Sequence, residues 1–220
     1  KRRRVNMDRR HFMGTTVAGI SAASMLGRAS FAQGQDQLRL GLVGCGGRGT
    51  GAAFNATSAS PDVQIAAIAD LFPDRLNSSR AHLDQLGERV SVTDEDCYVG
   101  WDAYKRLMAR ADIDIVILAT PPHFRPIHFK EAVKQGKHVF MEKPVAVDPA
   151  GVRQVIAAAK EADAKNLSVV SGTQRRHELC YLDAMKRIHD GEIGEPVAAR
   201  CYWNQGGLWN HARQADWSDM

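Results

Sequence analysis

The stretch LRLGLV places Leu38, Leu40, Leu42 and Val43 in a short apolar run that breaks at once into glycines. The same event, an apolar run closed by turn residues and followed by an amphipathic stretch, recurs along the chain. VQIAAIAD (63–70), IDIVILA (113–119), HVFM (138–141) and LSVVSG (167–172) are further runs of this kind, and Val90 and Val92 hint at another short strand. The near-continuous, β-branched run at 113–119 predicts a parallel strand covered on both faces. Between the runs the apolar spacing becomes helical. FPDRLNSSRAHLDQLGERV carries Leu76, Leu83 and Leu86 among polar residues, and residues 101–111 bring Tyr104, Leu107, Met108 and Ala111 to one face. A helix of about 126–135 stops at Gly136, and Asp148-Pro149 caps and starts another whose Val152, Val155, Ile156 and Ala159 lie in line. Alternating βα units predict an α/β fold, a doubly wound parallel sheet of the Rossmann type over residues 36–175.

The pattern changes after that. ELCYLDAMKRIHDG predicts one more amphipathic helix, ended by Gly191, and PVAARCYWN reads as a strand that opens an α+β second domain over residues 176–220. About 45 residues are too few for a complete second domain, so the sequence reads as C-terminally truncated. A terminal strand with an unpaired edge predicts poor solubility and no turnover for these residues alone.

Composition narrows the function classes. Of 220 residues, 44% are hydrophobic and 25% charged, the usual balance of a chain that buries a core. The pI near 9.0 points to a nucleic-acid or membrane partner only until the charge is located. Residues 1–32 carry seven Arg and Lys against Asp8, so the body after them is slightly acidic and nucleic-acid binding loses its main support. That front segment, residues 1–32, contains MDRRHFMGTTVAGISAASMLGRASFA. A basic start with Arg9-Arg10, a modestly apolar stretch from Met13 to Gly27 and Ser30-Phe31-Ala32 before Gln33 form a twin-arginine export signal, with Met7 a candidate start. The apolar stretch is too short and too rich in Gly, Ser and Thr for a stable membrane span. The expected partner is the twin-arginine translocase, the expected location the periplasm or another exported compartment. Because that route carries folded proteins, a bound cofactor is expected. Cys45, Cys97, Cys180 and Cys201 show no metal-site or disulfide spacing, so no metal is expected and they read as small buried residues.

The chemistry begins where the first strand ends. Gly44-x-Gly46-x-x-Gly49 follows LRLGLV directly, and the second apolar run ends on Asp70, 21 residues after Gly49. In the dinucleotide fingerprint the first glycine permits the tight turn, the second lets a pyrophosphate approach the backbone, and the third lets helix pack on strand. The acid then meets the ribose hydroxyls. Gly47 and Arg48 belong to the same cradle, where phosphate sits on free N–H groups at the positive end of a helix. Asp70 favours NAD, while Arg75 five residues on keeps NADP open.

With these residues in place, the chain resembles the Gfo/Idh/MocA oxidoreductases, the family of glucose-fructose oxidoreductase and inositol dehydrogenase, over about residues 38–205. The resemblance rests on GLVGCGGRG, IAD, ATPPHF, GKHVFMEKP and GTQRRHE. It implies a mostly antiparallel second domain that carries substrate residues and the dimer face, hence a homo-oligomer for the full-length protein. It also implies a cis bond between Lys143 and Pro144.

FMEKP ends the fifth strand, and strand ends of an open α/β sheet are where ligands sit. Oxidising a secondary alcohol requires a group beside the departing hydroxyl proton. Lys143 is assigned that role, as an ammonium stabilising alkoxide charge or as a neutral amine base. Glu142 pairs with or positions Lys143. Thr120 and Pro121, after the fourth strand, join the cofactor-binding set with Glu142 and Lys143. His123 is either a site residue, catalytic and at the cofactor, or a surface loop residue. The family often has TP-x-H-x-H here, and Arg125 replaces the second histidine, which leaves its role open. Arg176 of GTQRRHE, with Arg175, either reaches substrate or cofactor or starts a solvated helix. Trp203, Trp209 and Trp217, with Tyr202, Asn204, Gln205 and Asn210, suit a sugar ring or, more simply, a core or dimer face.

The expected function is an NAD(P)-dependent oxidoreductase moving a hydride between nicotinamide and a sugar or polyol. Two alternatives stand beside it. One is redox-neutral glycoside or lyase chemistry on the same scaffold, although glycosidases resembling the family tend to lack the EKP lysine. The other is a non-catalytic dinucleotide-binding protein.

Overall fold

The computed structural model describes residues 37–207, 212–215 and 217. The expected signal segment, Trp209 and Asn210 lie outside the described residues.

Strands β1 (Leu38–Val43), β2 (Val63–Asp70), β3 (Cys97–Val99), β4 (Ile115–Leu118), β5 (His138–Glu142) and β6 (Val169–Gly172) form one sheet in the order β3-β2-β1-β4-β5-β6. Every pairing is parallel. The order reverses between β1 and β4, so the chain leaves these two strands in opposite directions and opens a crevice at their carboxyl ends. The crossovers are helices α1 (Gly47–Ala59), α2 (Pro73–Leu83), α3 (Ala103–Met108), α4 (Arg125–Lys134) and α5 (Pro149–Ala164).

The inner strands β1, β2, β4 and β5 bury both of their faces along most of their length, whereas the run at β6, on the edge, leaves Val170 exposed. Leu40, Leu42, Ile65, Ile68 and Ile117 pack with Leu76 and Leu83 of α2 and Ala52 and Ala53 of α1. Val43, Val116, Leu118, Val139 and Met141 pack on the other face with Leu107, Met108, Phe129, Val133 and Val155 of α3, α4 and α5. The Asp148 side chain accepts from the Gly151 amide at 2.6 Å and so caps α5, with Pro149 at the first turn.

The structure differs from the sequence pattern in three places. Val90 makes only a single bridge to Ile65, and the edge strand is instead Cys97–Val99. The path between them is set by Gly87 at φ 58 and by Thr93, whose amide and hydroxyl both reach the Asp96 carboxylate to start a tight turn. PVAARCYWN forms no strand among the described residues, because the strand period alone supplies no neighbour for its N–H and C=O groups. Nor are the cysteines uniformly small core residues. Cys45 is buried and Cys97 half-buried, whereas Cys180 and Cys201 are exposed.

The chain forms two compact units, the first closing at Thr173 and the second running Gln174–Met220. The second contains helix α6 (Leu179–His189), which buries none of its residues.

Candidate functional site

The turn after β1 is built around three glycines with different duties. Gly44 has φ +100, and a Cβ there would stand 2.6 Å from the Thr120 amide nitrogen, so the turn presses on the loop after β4. At Gly49 a Cβ would lie 1.9 Å from the Gly44 carbonyl oxygen, which is what lets α1 start against β1. Gly46 and Gly47 have nothing within 4 Å of where a Cβ would be. Gly46 is also the N-cap of α1 and offers no side-chain acceptor, and the first turn of α1 carries no acid. Backbone N–H groups of a first helical turn have no intrahelical acceptor, so a clear backbone approach meets free donors at a positive helix end. This open cradle fits a dinucleotide pyrophosphate.

Asp70 closes the second strand as predicted and braces the turn itself. Its Oδ2 accepts from the Cys45 amide at 2.6 Å and its Oδ1 from the Phe72 amide at 2.9 Å. The Cys45 thiol, buried and facing the Asp70 carboxylate, is pushed far up and stays protonated. Beside the turn a groove of about 410 Å³ runs between α1 and α2, lined by Gly46, Gly47, Thr50, Arg75, Ser78 and His82 among others. Arg75 lines this groove with its Nε 3.9 Å from the Asp74 carboxylate.

The ends of β4 and β5 are adjacent, with Leu118 paired to Met141. Lys143 follows at the carboxyl edge, exposed, and makes no hydrogen bond or ion pair among the described residues. The Lys143–Pro144 bond is cis, as the resemblance implies. Glu142 does not pair with Lys143. Its carboxylate, buried beneath the turn, is taken by Arg48, whose Nη2 stands 2.6 Å from Oε1, though no N–H is aimed at that oxygen at hydrogen-bonding angle. The exposed Arg48, in the first turn of α1, reaches Glu142 at the end of β5, so an ion pair links the glycine turn after β1 to a strand two places away in the sheet. Gly172 on β6 makes room for this carboxylate, since a Cβ there would meet Oε1 at 2.9 Å.

Thr120 and Pro121 lie in the loop after β4. His123 is exposed there, its ring edge-on to Phe124 at 5.2 Å. Two residues carry more of this loop than the sequence discloses. Arg125 is only 2% exposed, and its guanidinium donates to the carbonyls of Thr120 and Pro144. His128 is buried, its Nδ1 3.1 Å from the Thr120 hydroxyl and its ring 4.1 Å from that of Tyr104. Burial first, then the Arg125 charge, push His128 down to about 4, so it is neutral. A signal for both exists in the sequence. Arg125, His128, Phe129, Ala132 and Val133 fall at the i, i+3, i+4, i+7, i+8 positions of one stripe, which puts a charge and an imidazole on the buried face.

Arg176 belongs to the second unit, where it is exposed. Its neighbour Arg175 lies over the rings of Tyr181 and Trp203, each 5.6 Å from its guanidinium carbon, and donates to the Tyr181 hydroxyl at 3.0 Å. Among the described residues no cluster of His, Cys, Asp or Glu could hold a metal ion, and no helix is long and apolar enough to cross a membrane.

The Gfo/Idh/MocA family model, an oxidoreductase family with an NAD-binding Rossmann fold, matches residues 38–171. Among curated proteins, the inositol 2-dehydrogenase of Rhizobium meliloti is 30% identical over 158 residues, covering 72% of this chain and 42% of its own length. A glycosyl hydrolase family 109 protein of Streptomyces coelicolor is 29% identical over 159 residues, again covering 72% of this chain but 32% of its own. The chain thus spans less than half the length of these relatives. Among solved structures, the scyllo-inositol dehydrogenase of Lactobacillus casei with bound NAD(H) and scyllo-inositol superposes with a TM-score of 0.57 at 25% identity. It covers 72% of this chain and 43% of that one.

Proposed function

The chain belongs to the Gfo/Idh/MocA oxidoreductase family and carries its NAD-binding Rossmann domain, and from that premise we propose that the complete protein is a sugar or polyol dehydrogenase. The observation that carries this reading is an exposed, unpaired Lys143 at the carboxyl edge of β5, with only β4 between that strand and the one that leads into the open glycine cradle.

Gly46, Gly47 and Arg48 receive the pyrophosphate, Asp70 the adenosine ribose, and Thr120, Pro121 and Glu142 line the nicotinamide end. Arg75 gives a 2′-phosphate a counter-charge, so NADP as well as NAD suits the groove. Nicotinamide, when bound, supplies the two-electron acceptor for hydride from the substrate carbinol carbon. The chain's own part is proton handling. The Lys143 Nζ stands at the hydroxyl that becomes a carbonyl, taking its proton as an amine or stabilising its developing charge as an ammonium. Free of an acidic partner, Lys143 loses no ion pair when it turns to substrate. His123 and Arg176 are each proposed to contact substrate.

The second reading, redox-neutral glycoside cleavage, is favoured by the family 109 hydrolases among the relatives. Lys143 weighs against it. We further propose export by the twin-arginine route and retention of the cofactor through turnover, because an exported enzyme meets no free nicotinamide pool.

The test is turnover of inositols and aldoses by the purified full-length protein, read as reduction of its bound nicotinamide. Lys143→Ala is expected to slow that reduction about 10²–10⁴-fold, the usual share of a general acid or base. An undiminished rate overturns the assignment. Glycoside cleavage with no net reduction selects the second reading, and protein that releases no nicotinamide on denaturation refutes retention.

A further inference from the structure

We propose that Arg125 is a positioning residue for Lys143: its buried guanidinium ties the loop after β4 to the loop after β5 and fixes where the lysine stands at the sheet edge. The proposal rests on the reading of Lys143 as the proton-handling group.

The geometry is specific. One guanidinium nitrogen donates to the Thr120 carbonyl and another to the Pro144 carbonyl, the residue directly after Lys143. These carbonyls follow neighbouring strands whose shared ladder ends at the Leu118–Met141 pair, so beyond it the two loops are no longer paired to each other by the sheet. A planar fork with donors in fixed directions joins them instead. Burying a guanidinium is unfavourable unless its donors are met, and here the buried Nε–H meets no acceptor among the described residues; an apolar side chain would fill the same space without that penalty. What the arginine adds over such a side chain is the bridge. Its charge is not left alone, for the buried Glu142 carboxylate lies in its field as well as under Arg48. Thr120 is held a second time through its hydroxyl by His128, one helical turn along from Arg125. One end of the fork is therefore anchored on a loop fixed at two points, and the other end holds the carbonyl next to Lys143.

A purely structural arginine would change stability and leave Lys143 alone, so the test reads Lys143 directly. In full-length protein, the acylation rate of each lysine by a small reagent is measured by mass spectrometry, with exposed Lys130 and Lys160 as references. Arg125→Met is expected to change the relative reactivity of Lys143 by about threefold or more. It should also lower kcat by about 10–100-fold with KM and cofactor affinity within about threefold, since small displacements of a reacting group have effects of this size. Arg125→Lys keeps the charge on a shorter, unforked arm and should fall between, about twofold or more from wild type in both measures. Unchanged Lys143 labelling and kcat in either folded variant overturns the proposal, and Arg125→Lys decides it where Arg125→Met does not fold. A wild-type protein that turns over no sugar or polyol refutes the function reading, whereas the labelling still decides whether Arg125 sets the lysine.

Discussion

Gly46 and Gly49 stand three residues apart and should fail in opposite ways. A methyl group at Gly49 would enter the Gly44 carbonyl, a backbone atom that cannot swing aside, so Gly49→Ala should cost about 1–3 kcal/mol of stability. At Gly46 the same methyl meets open space, and only the loss of a tolerated N-cap glycine is felt, below about 1 kcal/mol. Gly46→Ala should instead weaken dinucleotide binding by about tenfold or more, because the methyl occupies the clear backbone approach that the phosphates need. Urea midpoints and cofactor titration on the two variants separate the cases, and equal loss of stability in both would refute the division of duties. His128 makes a pH prediction. Its folded-state value lies near 4, below the ordinary 6.5, so between these values the unfolded chain carries a proton that the folded one does not. Stability therefore rises with pH across that window, is complete above about 6.5, and is lost on acidification towards 4, by roughly 3 kcal/mol at most. The fall in urea midpoint from pH 7 to pH 5 should be smaller in His128→Gln than in wild type. At this scale the sequence discloses what depends on local backbone geometry. Gly44, Gly46, Gly49 and Asp70 are legible because a turn between strand and helix fixes their spacing. The partner of Glu142 is not, because Arg48 lies 94 residues away in sequence and reaches it only after β1 and β5 are set in one sheet.

Whole elements are legible to the extent that their signals are internal. α5 declares itself through Asp148 and Pro149, and the Asp148 side chain does accept the Gly151 amide, but its predicted apolar line is not the buried face: Val152 and Ile156 are exposed while Gly151, Val155, Ala158 and Ala162 are buried. Asp148→Ala removes that acceptor and should lower stability by about 1 kcal/mol, with Asp148→Asn or Asp148→Ser nearly neutral. Thermal melts give the comparison, and an Asp148→Ala protein with unchanged midpoint would show that the cap is idle. Strands whose identity depends on a neighbour are harder to see. Val90 and Val92 have the better strand composition, yet the edge position goes to Cys97–Val99, because Gly87 and the Thr93–Asp96 turn deliver that segment alongside Ile68, Ala69 and Asp70. PVAARCYWN shows the same dependence in reverse, a strand period with no partner to pair it among the described residues. α4 combines both kinds of signal. Its stripe is legible as helix, but the meaning of an arginine on that stripe appears only when the loops after β4 and β5 converge on it.

At the scale of the molecule, burial divides the chain unevenly. In the first unit the sheet is covered by α1 and α2 on one face and α3, α4 and α5 on the other, and side chains such as Leu42, Ile65, Ile68, Val116 and Leu118 are fully enclosed. In the second unit no described residue is buried, and α6 exposes Leu179, Tyr181, Leu182 and Met185. Helices of this length gain most of their stability from a buried apolar face rather than from intrinsic propensity. The two units should therefore open with very different free energies. In native-state hydrogen exchange on this 220-residue chain, amides of β1, β2, β4 and β5 are expected to exchange only with global unfolding. Those of α6 should exchange faster by about three orders of magnitude or more, the difference between local opening and a stability of several kcal/mol. Equal protection in α6 would mean that its apolar face is covered. The contrast also bears on function, because the cofactor cradle and Lys143 stand on the protected sheet while Arg176 and the Arg175–Tyr181–Trp203 cluster stand in the exposed unit. Dinucleotide affinity, read by cofactor titration, should accordingly survive substitutions in residues 174–207.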